Sequence, residues 1–400
     1  MTVNATDLAR AVRELRQAPA DYSAWLEVAA LLEALGYIAD AEAAFAAIGE
    51  GARVDGRVAL AIACGRHLCT LGSARGTELI ERVIETYAAN TPLTAPDPHA
   101  GATPPHRDPP HVELTDAGAN ALADARTAIA ALGPWLVSRR AEHVPAAPLL
   151  SALPPAGARA LIGVMSARAF AAGAAIVEAG APASALYWLA QGNANVLRGK
   201  TLLGELHSGA FFGEIALVGG TTRTATVTAR DDVWLLEIPA LAVDALAQQH
   251  PQLGATIALY ARTRLLANLV RTSELFAQLA PVDRDGLLAK FTSELVPAGT
   301  AFIRDGEPSH HLWVVVAGRC QVSSGDSALA ELGPGAAVGE LSPGASAVAV
   351  EPAVVLKLAR AELDALAQQH PELLAAVRRL GAVREPANRA LFEDATDLIV

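Results

Sequence analysis

A carboxylate and a guanidinium stand nine positions apart in FGEIALVGGTTRTATV, residues 212–227. Ionised Glu214 only accepts hydrogen bonds, so it asks for a hydroxyl donor on whatever it meets. Arg223 offers a planar fork of donors that suits an oxyanion. Between them Ile215-Ala216-Leu217 is long enough for one helical turn, and Gly219-Gly220 then breaks it. A short helix opening after Gly213 leaves its first backbone N–H groups free, which is a seat for an anion. A ligand with one phosphate and one nearby sugar hydroxyl satisfies all three groups. The plain alternative is a surface ion pair worth under about 1 kcal/mol.

These residues resemble the phosphate-binding cassette of the cyclic nucleotide-binding domain family. The likeness covers Phe212-Gly213-Glu214, the Ile215-Ala216-Leu217 turn, the spacing to Arg223 and the Ala225-Thr226-Val227 strand. The resemblance implies that Glu214 meets a ribose 2′-hydroxyl and Arg223 a cyclic phosphate. It also implies that backbone amides of the turn, and of the residue after the arginine, complete the phosphate site. The residues so nominated are Gly213, Glu214, Ala216, Arg223, Thr224 and Ala225. The implied ligand is cyclic AMP or cyclic GMP, with no cofactor. Thr224 tilts slightly toward GMP, since family members that prefer it often carry Thr there, although Thr also simply suits a strand.

The element that must position this stretch is written twice. Gly173, Gly180, Gly192, Gly209 and Gly213-Glu214 recur as Gly299, Gly306, Gly318, Gly335 and Gly339-Glu340, each 126 residues later. Downstream, Asp244 through Pro251 recurs as Asp364 through Pro371, now 120 residues later. Short apolar strands punctuated by glycine argue for an antiparallel barrel or jelly roll. The resemblance implies the same, a β-roll with helices before and after it. The six lost residues lie after Glu340, where Pro343 and Gly344 stand in place of Arg223 and Thr224. The second copy is therefore expected to bind no cyclic nucleotide.

Helical periodicity governs residues 1–90. Trp25, Val28-Ala29, Leu32, Gly36, Ala41, Phe45 and Ile48 trace a helix, a glycine turn and a second helix, and an imperfect copy follows at a shift of 36. This resembles the tetratricopeptide repeat, but two units are few for a free-standing array. The segment is expected to lean on further helices, another domain or a second chain, and it is the candidate surface for a protein partner. Cys64, His67 and Cys69 read as core cysteines beside a solvated histidine. Positions five apart share no helix face.

Seven prolines between Thr91 and Pro110 mark an extended linker. A helix is expected from Thr115-Asp116, as its cap, to a stop at Gly133-Pro134. Arg139-Arg140 reads as a solvated basic helix end. The expected fold class is α+β and multidomain. Its parts are tetratricopeptide-like helices over 1–90, a linker over 91–114 and a helical connector over 115–147. A roll with the complete cassette follows over 148–273, then a degenerate roll over 274–380 and a tail over 381–400. After the first roll, Leu253, Ile257, Ala261, Leu265 and Leu269 form one apolar stripe. The resemblance makes that stripe a hinge helix which transmits occupancy.

The net charge of −11 argues against non-specific nucleic-acid binding. No apolar run reaches the ~18 residues of a membrane span. The start carries an acid early and no apolar core, and there are three cysteines, so a reducing cytoplasmic setting is expected. No catalytic motif stands up to inspection. Gly199-Lys200-Thr201 resembles the end of a phosphate loop but lacks the first glycine and lies within a roll pattern. Residues 381–400 are too short for a DNA-reading helix pair. The sequence thus points to a non-enzymatic cyclic nucleotide receptor with a protein partner, self-association being open. The alternative is an interaction scaffold whose rolls hold no ligand.

Overall fold

The computed structural model describes residues 3–89, 107–115, 120–139, 147–151, 153–214, 222–258, 290–307, 310–325, 327–333, 336–338 and 345–369. The chain opens with α1 (Ala5–Gln17), α2 (Tyr22–Ala34), α3 (Ile38–Val54), α4 (Val58–Thr70) and α5 (Ala74–Tyr87). Asn4 begins this layer with a capping box. Its side chain accepts the Thr6 and Asp7 amides, and the Asp7 carboxylate accepts the Asn4 amide in return. The α2–α3 and α4–α5 hairpins bury Trp25, Phe45, Leu60 and Ile62 completely.

The helix α6 (Ala121–Ser138) departs from expectation at both ends. It starts later, because Thr115 turns to bond Asp124 instead of capping. The Thr115 amide and hydroxyl reach the two carboxylate oxygens at 2.8 Å each, and Asn120 takes over as cap. Asp116 lies outside the described residues. At the other end α6 runs through Gly133-Pro134 to Ser138. Leu136 is fully buried against Gly51, Trp135 donates to the Arg107 carbonyl at 3.2 Å, and Arg139 lies 3.8 Å from Asp55. Packing of that last turn outweighs the roughly 3 kcal/mol cost of an interior proline. Arg139 is consequently enclosed rather than solvated, with its side chain 15% exposed.

After α7 (Pro148–Ser151) and α8 (Pro155–Val164) comes the first roll. Its strands are β1 (Ser166–Phe170), β2 (Ala175–Val177), β3 (Ala185–Gln191), β4 (Asn193–Arg198), β5 (Thr201–His207), β6 (Phe211–Phe212), β7 (Thr226–Ala229) and β8 (Val233–Pro239). They form two antiparallel sheets, ordered β1-β8-β3-β6 and β2-β7-β4-β5. Gly199-Lys200-Thr201 is the tight turn from β4 into β5.

The second roll repeats this topology strand for strand. It comprises β9 (Thr292–Val296), β10 (Ala301–Ile303), β11 (His311–Ala317), β12 (Cys320–Ser324), β13 (Ser327–Leu332), β14 (Ala337–Val338), β15 (Ser346–Ala349) and β16 (Ala353–Ala359). Its sheets are ordered β14-β11-β16-β9 and β10-β15-β12-β13. The six-residue loss therefore falls between β14 and β15. Gly192 and its counterpart Gly318 show why glycine marks the repeat. Both have positive φ, +91° and +79°, and a Cβ on either would lie within 2.5 Å of a backbone carbonyl oxygen. Residues 339–344, with Glu340, Pro343 and Gly344, lie outside the described residues.

Strand β3 joins the two layers. Ala185, Tyr187 and Leu189 face the interior of the roll, while Leu186, Trp188 and Ala190 face the helices. Helix α4 packs on the sheet containing β1, β3 and β8. Phe45 stacks on Trp234 with ring centroids 5.5 Å apart, and His67 meets the same indole edge-on at 5.4 Å. His67 is thus packed, and hydrogen-bonded to Glu33 at 2.7 Å, rather than solvated. Further ties run from Arg66 to the Met165 carbonyl (2.8 Å) and from Gln191 to the Ser23 hydroxyl (2.9 Å). The helices and the outer face of the first roll share one core, and the interior of the second roll forms its own.

The helix Ala240–Gln249 and helical residues 251–258 follow β8. Leu253 and Ile257 of the expected stripe are buried in the core shared with the N-terminal helices. Ala261, Leu265 and Leu269 lie outside the described residues. Among the described residues no helix is long and apolar enough to cross a membrane, and no cluster of three His, Cys, Asp or Glu could hold a metal ion. Cys64 is fully buried, which pushes its thiol pKa up.

Candidate functional site

Strand β6 ends at Phe212, and the chain turns at Gly213 into Glu214. On the other side of the site, Arg223, Thr224 and Ala225 lead into β7. A two-way backbone bridge pins Arg223: its N–H donates to the Ala181 carbonyl, and the Gly180 N–H donates to the Arg223 carbonyl, both at 2.8 Å. This fixes the Cα against the turn after β2 and sends the side chain inward. The guanidinium then donates from Nη1 to the Gly213 carbonyl at 3.0 Å and from Nη2 to the Ala185 carbonyl at 2.6 Å. Its carbon lies 5.5 Å from the centroid of the Tyr187 ring, which in turn stacks on Phe212 at 5.2 Å.

Both charged residues are enclosed. Glu214 is 1% exposed and Arg223 5%. Burial lowers the Arg223 pKa below its ordinary value, while Tyr187 and the Glu214 charge act in the opposite direction. A surface ion pair is therefore the wrong description of these residues. A buried guanidinium needs compensation, and among the described residues it bonds two neutral carbonyls and the Tyr187 side chain. These partners are uncharged, and the charge that acts on the guanidinium is that of Glu214.

Gly213 makes this arrangement possible. Its φ is +93°, and a Cβ there would come within 2.8 Å of Arg223 Nη1. Gly213→Ala is expected to cost about 1–2 kcal/mol in backbone strain and to push the guanidinium off the Gly213 carbonyl. Urea unfolding reads the first effect. For the phosphate-bearing ligand expected from the sequence, the second effect would read as binding at least ~10-fold weaker, the equivalent of about 1.4 kcal/mol.

The structure brings together Gly213, Glu214 and Arg223 of the nominated set, and places Thr224 and Ala225 half-buried just before β7. Ala216, with the expected helical turn, lies outside the described residues. The sequence reading missed Tyr187 and Ala185. Tyr187 was legible in principle, because the alternation of β3 puts it on the inner face. The Ala185 contribution is a main-chain carbonyl, which no residue type announces.

Residues 167–250 and 294–370 each match the family model of the cyclic nucleotide-binding domain. The chain is similar to a cyclic nucleotide-gated potassium channel of Mesorhizobium japonicum, 34% identical over 116 residues, covering 29% of this chain and 32% of the channel. It is also similar to a cAMP-dependent protein kinase regulatory subunit of Aspergillus fumigatus, 39% identical over 89 residues, covering 22% of this chain and 21% of the subunit. The chain thus spans about a third or less of these relatives' lengths. Among solved structures it is similar to the regulatory domain of Toxoplasma gondii PKA with cAMP. That likeness is at 19% identity, covers 60% of this chain and 92% of that one, and has a TM-score of 0.27.

Proposed function

We propose, from two rolls that belong to the cyclic nucleotide-binding domain family, that this protein is a non-enzymatic receptor for one cyclic mononucleotide, cAMP or cGMP, held in the first roll. The observation that carries the reading is the enclosed Arg223, bonded to neutral carbonyls and close enough to feel the charge of the equally enclosed Glu214. Arg223 takes the cyclic phosphate, Glu214 accepts from the ribose 2′-hydroxyl, and Gly213, Ala216, Thr224 and Ala225 supply backbone contacts. The second roll, with Pro343 and Gly344 in place of the arginine and its neighbour, holds no cyclic nucleotide.

Occupancy is relayed through the helix that begins at residue 251 to a protein partner on the N-terminal helices. Support comes from Leu253 and Ile257, which lie in the same core as those helices. A relay requires that ligand bind two states of this joint unequally. Hydrogen exchange across residues 251–258 is therefore expected to change by at least ~5-fold at saturating ligand, about 1 kcal/mol of coupling. Unchanged exchange there would remove the relay and leave the binding claim standing.

Calorimetry of the full chain with cAMP and with cGMP tests the binding itself. The full chain is needed because the first roll shares its core with the helices. Heat of binding is expected with at least one of the two. Silence with both would favour the ligand-free scaffold, in which the two carbonyl bonds of Arg223 are its final partners.

A further inference from the structure

We propose that Tyr187 is a positioning residue: its ring is the platform that holds the Arg223 guanidinium in line for the phosphate. The proposal rests on the reading of the first roll as a cyclic nucleotide site.

Three observations converge on it. First, the ring is held by contacts other than those with the arginine. Tyr187 is on the inner face of β3, paired in register with Phe212 of β6, and the two rings lie 22° from parallel. Second, the ring and the two carbonyls that meet the guanidinium lie on, or directly after, the same two strands. Its carbon sits 5.5 Å from the Tyr187 ring, and its two nitrogens bond the carbonyls of Ala185, two residues before Tyr187, and Gly213, directly after Phe212. Ring and carbonyls are thus tied to the same pair of neighbouring strands. They are all uncharged, so they orient the cation, and the charge acting on it is that of Glu214. A cation over an aromatic face is held by the ring quadrupole, more strongly where water is excluded.

Third, the second roll repeats the device with a different cation. Trp313 occupies the register of Tyr187, paired with Val338 as Tyr187 is with Phe212. Lys357, directly across from Trp313 on β16, places its ammonium 5.6 Å from that ring and bonds Glu294 at 2.6 Å. Where the sequence has lost the arginine, the aromatic at this register carries another cation, and a carboxylate neutralises it. In the first roll the position across from Tyr187 is Glu237, and the cation on the ring is Arg223.

The test is titration of the full chain with cAMP and cGMP, comparing wild type with Tyr187→Phe and Tyr187→Leu. Phe keeps the ring face and gives up only the hydroxyl bond to Arg223, so it is expected to bind within about 3-fold of wild type, whereas Leu is expected to bind about 5- to 30-fold more weakly. Rescue by Phe but not Leu separates a ring platform from mere filling of space. Should Tyr187→Leu fail to fold, Tyr187→Met fills the same space without a ring and carries the same expectation. Leu or Met binding as tightly as wild type would overturn the platform, and so would Phe binding as weakly as Leu. No binding by wild type would instead overturn the underlying site reading.

Discussion

Arg223→Ala is expected to weaken cyclic mononucleotide binding by about 10²- to 10³-fold, because truncating one partner of a buried charged hydrogen-bond pair costs about 2–5 kcal/mol. The cost is high because Arg223 sits 5% exposed, where little water could take over its role. Arg223→Lys is expected to restore only a minor part. A lysine carries the charge, but its single ammonium cannot span the Gly213 and Ala185 carbonyls while facing a phosphate. Calorimetric titration of the three proteins reads the order. Binding by Arg223→Ala within 3-fold of wild type would remove the arginine from the site.

Phe45→Ala is expected to destabilise the helices and the first roll together by about 3–5 kcal/mol, the usual cost of deleting a fully buried aromatic ring. Phe45 is 0% exposed, and its ring touches His67 of α4 and Trp234 of β8, so it stands where the helical layer meets the sheet. Urea unfolding is the measurement, followed both by helical circular dichroism and by tryptophan fluorescence. Both probes are expected to shift to lower urea together. A shift in the helical signal alone would show that the layers are separate units.

Much of the fold was legible in the sequence, and the reason is backbone geometry. Turns that need a left-handed residue accept little but glycine, so Gly192 and Gly318 kept their 126-residue spacing where side chains drifted. The helical hairpins were legible through the period of their large apolar residues. Resemblance to the tetratricopeptide family adds nothing that the helices themselves do not show. The joint between helices and roll was not legible. Leu186, Trp188 and Leu236 announce an outward apolar face, but a period of two does not say what covers it. His67 was misread for the same reason, since its neighbours Phe45 and Trp234 are far away in sequence. Pro134 misled because local propensity is a weak prior against a buried Leu136 two residues on.

At the candidate site, Glu214 and Arg223 stood out in the sequence as complementary chemistry at a defined spacing. Their burial did not, because a charged residue in a glycine-rich stretch normally reads as exposed. The structure encloses both side chains and sets the Arg223 guanidinium against the Tyr187 ring.

The central claim is that one of two matching rolls kept its ligand site. Equilibrium dialysis of the full chain against saturating cAMP, and separately cGMP, counts the bound nucleotide directly. The expected result is one nucleotide per chain for whichever ligand binds. Two per chain would contradict the loss of the second site, and none would contradict the first.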